Sequence, residues 1–306
     1  MIQLLGNNDT IIFYMKTPLS IIILTYNEEI HIERLLKNIG DWCDEIFIVD
    51  SFSTDKTLEI TKKYGCKIIQ HKFENQAQQF NWALDNLKIK NDWILRLDAD
   101  EYLAEELKRE IVKTLEEEKF SFPPKPKRER SPALRGVSGL REKENFSSNV
   151  NGYFIKRKVY FMGRWIKHGA YYPIWFLRLF RKGKARSEQR EMDEHIVLLE
   201  GKKGKLKNDF IDDNKKGLTD WISKHNNYST REAAAVLAGD FGINKKKFFY
   251  KLPLFCRAFA YFIYRYFFRF GFLDGKEGLI FHFLHAFWYR FLIDAKIYES
   301  RIKKSH

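Results

Sequence analysis

WILRLDADE, residues 93–101, is the segment from which the architecture of this chain can be worked out. Its first five residues predict a buried strand, and Asp98 and Asp100 follow one residue apart, with Glu101 behind them. Two carboxylates at a strand tip can face the same crevice, where their hard oxygens suit Mg²⁺ or Mn²⁺ carrying a diphosphate. Alone, such a pair is more often a solvated turn or a helix cap, so the neighbouring segments must decide.

Strand and helix patterns alternate on the amino-terminal side of this segment. Apolar runs predict strands at 20–25, 45–49, 66–70 and 92–97. Helical patterns lie between them, and the first helix is expected to bury Ile30, Leu35, Leu36 and Ile39. This alternation implies right-handed crossovers and an α/β fold with a mainly parallel, Rossmann-like sheet and flanking helices.

Polar residues follow three of these strands, at 25–27, 50–55 and 98–100. Because the carboxyl ends of parallel strands lie at one edge of a sheet, these residues are expected to form a single site. Two more features belong to this prediction. Arg178 lies inside an apolar run, so we expect it to point into a site or to pair with a carboxylate. The segment 168–173 is interpreted as an acceptor-side loop, whose aromatic rings either stack on sugars or pack in the core.

Three ordered motifs carry a family resemblance: LTYNEE at 24–29, VDSFSTD at 49–55 and LDADE at 97–101. They resemble the signatures of the family-2 inverting glycosyltransferases with a GT-A fold, and more closely the bacterial members that build lipopolysaccharide core or other surface polysaccharides. The resemblance covers most of 18–299. It includes MDEH at 192–195, KHN at 224–226 and the segment 265–298 with GFLDG and WYR. Phe52 stands where the family usually has Gly.

The resemblance implies roles for individual residues. The loop around Tyr26 would pack on the nucleoside, Asp50 would hydrogen-bond the base, Asp98 would lie near the ribose, and Asp100 would ligate Mg²⁺ or Mn²⁺, with Asp98 as a second metal-site residue. Apart from the resemblance, the position of Asn81 on the helix before the fourth strand suggests contact with the diphosphate; the alternative is a solvated polar face. The complete predicted nucleotide-sugar site is Thr25, Tyr26, Asn27, Glu28, Asp50, Ser53, Asp55, Asn81, Asp98 and Asp100.

An inverting transfer also needs a base for the acceptor hydroxyl. The family carries an acidic catalytic residue at the position of Asp193-Glu194, so Glu194 is the first candidate and Asp193 the second. Without the resemblance, two adjacent acids in a polar stretch would be read as surface charge.

Length and composition agree with one catalytic domain and an extension. Of the 306 residues, 18–240 are assigned to a GT-A domain and 241–306 to a basic, aromatic-rich helical extension. Residues 121–149, rich in proline and mixed charge, are predicted to be a disordered insertion. Three scattered cysteines predict neither disulfides nor a zinc site, which favours a reducing compartment. The first fourteen residues lack a signal-peptide pattern.

The extension has a strong positive charge. Residues 241–306 contain thirteen Lys and Arg against four Asp and Glu, within a chain of net charge +14. A helix from Pro253 to about Phe270 would place Arg257, Arg265 and Arg269 in one sector, and Asp274 with Glu277 resembles a capping box for the next helix. Neither helix is expected to span a bilayer. These amphipathic helices are predicted to bind an anionic membrane surface; the alternative is that their rings pack against the catalytic domain.

The sequence therefore predicts a metal-dependent inverting hexosyltransferase that moves a sugar from a nucleotide donor to a lipopolysaccharide-core or other lipid-linked acceptor. Its expected location is cytoplasmic, peripheral on the inner face of the cytoplasmic membrane. Transfer to polyprenyl phosphate is an alternative of the same class. A non-catalytic basic protein that binds nucleic acid or nucleotides is an alternative of another class, but no nucleic-acid motif is present and no nucleic-acid partner is expected.

Overall fold

The computed structural model describes residues 16–120, 150–189, 195–239 and 249–305, with the backbone alone at 120, 304 and 305. The segment predicted to be a disordered insertion, 121–149, and the first fifteen residues lie outside the described residues.

Eleven strands and eight α-helices are described in these ranges. The strands are β1 (Thr17–Thr25), β2 (Cys43–Asp50), β3 (Lys67–Gln70), β4 (Trp93–Asp98), β5 (Glu101–Leu103), β6 (Val150–Phe161), β7 (Arg164–Trp165), β8 (Ile174–Arg181), β9 (Ala185–Ser187), β10 (Ile196–Leu198) and β11 (Lys202–Asp213). The helices are α1 (Glu29–Ile39), α2 (Thr57–Lys63), α3 (Gln76–Asn86), α4 (Glu105–Phe120), α5 (Gly217–Leu237), α6 (Cys256–Ile263), α7 (Gly275–His282) and α8 (Tyr289–Ser305).

The main sheet has the strand order β3-β2-β1-β4-β8-β6-β11-β5, with β7 paired to β6. The first four strands are parallel, as the alternating pattern predicts. Beyond β4 the sheet is mixed, since β8 runs antiparallel to β4 and β6, while β11 is parallel to β6 and antiparallel to β5. The strands β9 and β10 form a separate antiparallel pair. The predicted α/β GT-A architecture is therefore confirmed.

Both faces of β1 are buried, which explains its continuous apolar run. Ile21 and Ile23 lie in a core with α1 and α4, whereas Ile22 lies in a second core with Phe80 of α3. One predicted core residue is misplaced. Ile30 is 57% exposed, because α1 begins at Glu29 and turns His31 and Ile32 inward instead.

The carboxyl-terminal helices pack on the preceding part of the chain. Ile293 and Ile297 of α8 contact Ala233 of α5, and Phe281 of α7 packs with Phe161 and Ile166. Between α6 and α7 the chain forms a π-helical turn (Tyr264–Phe268) and a 3₁₀ turn (Gly271–Asp274), and a second π-helical turn (Phe283–Trp288) joins α7 to α8. No helix in the described part of the chain is both long and apolar enough to cross a bilayer.

Three predictions for this extension are wrong. Arg257 is buried in an ion pair with Asp294, and Arg265 is buried against Tyr171 and Tyr261, so neither can reach a lipid phosphate. Asp274 makes no capping hydrogen bond to α7. Its carboxylate instead accepts hydrogen bonds from the backbone N–H of His168 at 2.9 Å and from the His168 ring at 2.6 Å.

Candidate active site

The ends of three parallel strands lie at one edge of the sheet, as the sequence predicts. Thr25 at the end of β1 is in register with Asp50 at the end of β2, and Leu24 is in register with Asp98 at the end of β4. The loops that follow these strands therefore share one crevice. It is closed on the far side by the end of β11 and the start of α5.

Asp50 organises the first two loops. Its buried carboxylate accepts hydrogen bonds from the Thr25 hydroxyl at 3.0 Å, from the backbone N–H and hydroxyl of Ser53, and from the Gln70 amide at 3.2 Å. Asn27 continues this connection, since its backbone N–H donates to the Ser53 hydroxyl and its side-chain oxygen accepts from the Thr54 N–H. The predicted residues Thr25, Asn27, Asp50 and Ser53 are thus brought together as one hydrogen-bonded unit.

Two aromatic rings project from this unit. Tyr26 is 57% exposed and Phe52 is 55% exposed, each on one of the two loops. Phe52 has φ +61°, a left-handed conformation that glycine adopts without steric cost. This left-handed conformation explains why glycine is usual at this position. Phe52 adopts the same conformation, so the turn is retained.

The polar groups of Glu28 and Asp55 are engaged within the protein. The Glu28 carboxylate pairs with His31 and with Lys216 of the β11–α5 connection, each at 2.7 Å. Asp55 accepts from the Glu29 N–H at the start of α1 and from Thr57 at the start of α2. Both residues border the crevice by fixing its loops, and their nucleotide-binding roles stay predictions.

Asn81 is placed elsewhere. Its amide donates to the backbone oxygen of Ser187 and accepts from the Ser187 N–H, both at 2.9 Å, and the side chain is buried. The amide therefore holds β9 against α3. This contradicts the prediction that Asn81 binds the diphosphate.

The acidic pair lies between arginines and polar groups. Asp98 contacts Arg96 at 3.4 Å and Arg178 at 3.3 Å, so the expectation that Arg178 pairs with a carboxylate is confirmed. Burial alone would raise the pKa of Asp98, but these two guanidinium groups outweigh it and hold that pKa well below its usual range. Asp98 is therefore ionised at neutral pH. Asp100, the second carboxylate, accepts a hydrogen bond from the Asn214 amide at 2.9 Å.

Glu101 supports the acidic pair from a buried position. One of its oxygens accepts from Arg178 at 2.6 Å and the other from the Asp98 backbone N–H at 2.8 Å. Burial raises the pKa of Glu101 well above its ordinary value, and the neighbouring charges of Asp98 and Asp212 act in the same direction. The side chain fixes the strand end rather than facing solvent, with 2% exposure.

Asp212 is a site residue that sequence reasoning missed. The Asp213 N–H donates to the Asp100 backbone oxygen at 3.1 Å, and Arg34 of α1 donates to the backbone oxygens of both Asp100 and Asp213, so the end of β11 is fastened to the acidic pair. Burial and the charge of Asp100 raise the pKa of Asp212 to about 6. The signal was present in FIDDN at 210–214, a short apolar run ending in acids like LDAD at 97–100.

Lys224 of α5 is the cation that faces these acids. Burial lowers its pKa, but Tyr228 and the carboxylates of Asp100, Asp212 and Asp98 outweigh that effect and raise it. Lys224 is the first residue of the KHN motif at 224–226.

The predicted bases Asp193 and Glu194 lie outside the described residues. The chain on either side of them is described: Ser187 of β9 pairs with Ile196 of β10, and the His195 ring lies 6.2 Å from that of Phe176. Phe176 in turn contacts the Arg157 guanidinium, which lies 3.4 Å from Asp212.

The donor set of the crevice fits a hard divalent cation. Asp98, Asp100 and Asp212 offer carboxylate oxygens, the ligands that Mg²⁺ and Mn²⁺ prefer. Within the described ranges no group of three or more acidic, His or Cys side chains is placed so that it could hold a metal ion by itself. Mg²⁺ sites commonly use one or two carboxylates and fill the other positions with water and substrate phosphates, so the arrangement is suited to a cation that arrives with a diphosphate.

Comparisons with known proteins show what this chain is similar to. An uncharacterized glycosyltransferase from Rickettsia bellii is 41% identical over 32% of this chain and 32% of its own length, so the match spans about a third of that relative. Lipopolysaccharide core biosynthesis glycosyltransferase LpsC from Rhizobium meliloti is 27% identical over 95% of each chain. Among solved structures, S. aureus TarS 1–349 superimposes with a TM-score of 0.44 at 16% identity, covering 95% of this chain and 92% of that one. The profile of Glycosyl transferase family 2 matches residues 20–186, more than half of the chain, and the chain therefore belongs to this family.

Proposed function

We propose that this protein is an inverting, metal-dependent glycosyltransferase that transfers a sugar from a nucleotide-sugar donor to a lipopolysaccharide-core or other lipid-linked acceptor. One observation carries the proposal. The Asp98-Ala99-Asp100 motif lies at the carboxyl end of β4, in register with the polar end of β1, which is itself in register with that of β2, and it is hydrogen-bonded to Asp213 and Asn214 at the end of β11. The likeness to LpsC over almost the whole chain supports an acceptor of the lipopolysaccharide type.

The donor would occupy the crevice with its nucleoside on the β1 and β2 loops. Tyr26 and Phe52, both more than half exposed, would stack on the base, and the hydrogen-bonded unit around Asp50 would hold these loops in place. The Asp50 oxygens already accept four hydrogen bonds, so its contribution to base recognition would be made largely through the loops it orders. Asp98, kept ionised by Arg96 and Arg178, would face the ribose.

The diphosphate would lie at Asp100 and Asp212, which would hold Mg²⁺ or Mn²⁺. Such a cation stabilises the negative charge that develops as the nucleoside diphosphate leaves. Lys224, whose positive charge faces the same carboxylates, would add a second stabilising charge without depending on the metal. Glu194, with Asp193 as the second candidate, would accept the proton of the attacking hydroxyl. The contacts from His195 through Phe176 and Arg157 to Asp212 support a position for that segment beside the crevice.

We further propose that the enzyme works at the anionic inner face of the cytoplasmic membrane, bound by an aromatic face. We define this face as the exposed rings of the extension from α6 to the start of the second π-helical turn: Phe259, Tyr264, Phe267, Phe268, Phe270, Phe272 and Phe283. Each ring is 44–71% exposed, and Arg269 and Lys276 are exposed in the same segment. A large apolar patch beside cations is the combination that interfacial proteins use to enter the headgroup layer.

A donor screen tests the proposal. The purified chain would be incubated with UDP-, GDP-, CDP- and dTDP-sugars, with and without Mg²⁺ or Mn²⁺, and release of the nucleoside diphosphate measured. We expect metal-dependent release with one nucleotide class, stimulated by rough lipopolysaccharide. Stimulation by polyprenyl phosphate instead would favour the alternative acceptor. If no donor is either turned over or bound, the proposed enzymatic function is refuted, and a non-catalytic binding role remains.

A further inference from the structure

Arg265 is a buried cation without a carboxylate partner. Its side chain lies in the first π-helical turn and is 7% exposed. One nitrogen, Nη1, donates to the Tyr261 hydroxyl at 2.6 Å, whereas Nε and Nη2 have no hydrogen-bond partner among the described residues. Burying a charged group with unsatisfied N–H donors costs free energy that the native structure must recover elsewhere.

Other buried arginines of the chain are paired differently. Arg257 forms an ion pair with Asp294, and Arg178 forms one with Glu101. In the described part of the chain no carboxylate lies within ion-pair distance of Arg265, whose guanidinium is instead held by the rings of Tyr171 and Tyr261, at 5.2 and 5.4 Å. Ring contacts stabilise the positive charge but give its free N–H groups no acceptor.

Arg157 of β6 lies beside the same ring. Its guanidinium carbon is 5.9 Å from the centre of the Tyr171 ring, and its Nε is buried without a hydrogen-bond partner among the described residues. Its Nη1 lies 3.4 Å from Asp212. Two guanidinium groups with unpaired N–H donors therefore lie within about 6 Å of the Tyr171 ring, one from β6 and one from the extension.

Among the described residues, this corner has more cations than anions. Of the described carboxylates, only Asp212 contacts either arginine, and in the proposed function it also faces the metal. His285, whose ring lies 5.5 Å from that of Tyr171, adds no negative charge to offset the two cations. An oxyanion at this place would satisfy the free donors and neutralise the excess charge, because guanidinium groups bind carboxylate and phosphate through paired N–H donors.

We propose that Arg157 and Arg265, whose guanidinium groups both lie beside Tyr171, bind a phosphate or carboxylate group of the acceptor. The inference rests on the proposed function for the identity of the acceptor, but oxyanion binding itself does not depend on donor turnover. The inference means that the acceptor is an anionic saccharide. It also explains why Arg265 of the extension is buried beside Tyr171.

Calorimetry on the full chain without metal or donor tests this site. Metal-free conditions keep anions from the acidic pair, which repels them. The probes are inorganic phosphate, methyl phosphate and glucuronate. We expect saturable binding, with Kd on the order of millimolar for these single-group probes. Tighter binding of methyl phosphate would identify the anionic group of the acceptor as phosphate, and tighter binding of glucuronate would identify it as carboxylate.

Matched variants distinguish binding from structure. Arg265→Gln and Arg157→Gln should each weaken the tighter probe at least tenfold, whereas Arg269→Gln, an exposed arginine of the same segment, should change Kd less than twofold. Arg265→Lys keeps the positive charge but loses the paired N–H donors, so it should bind the tighter probe with intermediate affinity. This variant replaces Arg265→Gln in the test if the Gln variant does not fold. Oxyanion binding with no donor turnover would refute the proposed function and retain the site.

Three results would overturn the inference. They are absence of saturable binding by the wild-type chain, binding unaffected by both Gln variants, and binding of inorganic phosphate without either organic probe, which would mean an adventitious ion only. A loss of thermal stability in Arg265→Gln with unchanged affinity would likewise assign Arg265 a purely structural role.

Discussion

Arg178 donates to Glu101 over 2.6 Å, with 8% and 2% of the two side chains exposed, and the same Arg178 nitrogen lies 3.3 Å from Asp98. Removing Arg178 would leave the ionised Asp98 with one cation fewer and the buried Glu101 carboxyl without its donor. We therefore expect Arg178→Met to lower the free energy of unfolding by about 3–5 kcal/mol, measured by urea denaturation. Arg186→Met, which breaks an exposed pair with Asp85, should cost less than about 1 kcal/mol. Equal losses in the two variants would show that Arg178 and Glu101 do not act as a buried pair.

The role of Arg178 could be predicted because a lone charge inside an apolar run must find a partner. The placement of Thr25, Asp50 and Asp98 at one edge of the sheet could also be predicted, because alternating strands and helices form right-handed crossovers between parallel strands. These inferences depend on residues close together in sequence. They needed no knowledge of distant contacts.

The parts that sequence reasoning missed depend on contacts between distant segments. β11 contains several lysines and little apolar alternation, and its pairing with β6 joins residues about fifty positions apart, so Asp212 was not assigned to the site. Arg257 and Arg265 were placed on a membrane face because helical spacing shows which residues share a sector and not which sector is buried. Asn81 was misassigned because its partner, Ser187, is 106 residues away.

Replacing Asp100 should abolish metal-dependent donor turnover. Asp100→Asn removes one ligand charge at a partly exposed strand end, so the fold should be retained while nucleoside diphosphate release falls to the level without metal. Circular dichroism would check the fold, and Asp85→Asn, a surface acid, provides the control. Full metal-dependent activity in Asp100→Asn would exclude it as the principal ligand.

The pKa of Asp212 predicts a pH-dependent stability in the metal-free protein. Its folded-state pKa of about 6 lies above the ordinary value of 3.8, so ionising it in the folded state costs free energy. The cost is absent below pH 3.8, grows between 3.8 and 6, and is complete above 6. Asp212→Asn should therefore be more stable than the wild type at pH 7.5 by up to about 3 kcal/mol, and lose this advantage near pH 4.

Thermal unfolding across pH 4–8 measures this difference. Adding Mg²⁺ at pH 7.5 should raise the Tm of the wild type more than that of Asp212→Asn, because a ligand bound to the native state stabilises it. A constant difference between the two proteins at every pH would mean that Asp212 does not carry the shifted titration.

Glu194 should affect turnover and leave donor affinity unchanged. If it deprotonates the acceptor, Glu194→Gln should lose about 10²-fold or more in transfer, the usual scale of a general base, while calorimetry gives the wild-type donor Kd. Asp193→Asn is the matched neighbour and should stay within a few-fold of the wild type. Loss of activity in Asp193→Asn alone would transfer the role to that residue, and loss of donor binding in Glu194→Gln would place Glu194 in the nucleotide site.

The aromatic face, rather than the buried arginines, should determine membrane attachment. Phe267, Phe268 and Phe270 are 53%, 71% and 57% exposed, and burying such rings in the headgroup layer contributes on the order of 1.5–3 kcal/mol each. Replacing all three with Ser should move the protein from anionic liposomes to the supernatant on sedimentation, while hydrolysis of the donor continues.

Phe73, Met162 and Leu199 are at least half exposed in the catalytic domain, so their Ser variant is the matched control and should still sediment. High salt should weaken binding of the wild type without abolishing it, because the cations contribute a screened part and the rings do not. Equal sedimentation of the two triple variants would show that another surface contacts the membrane.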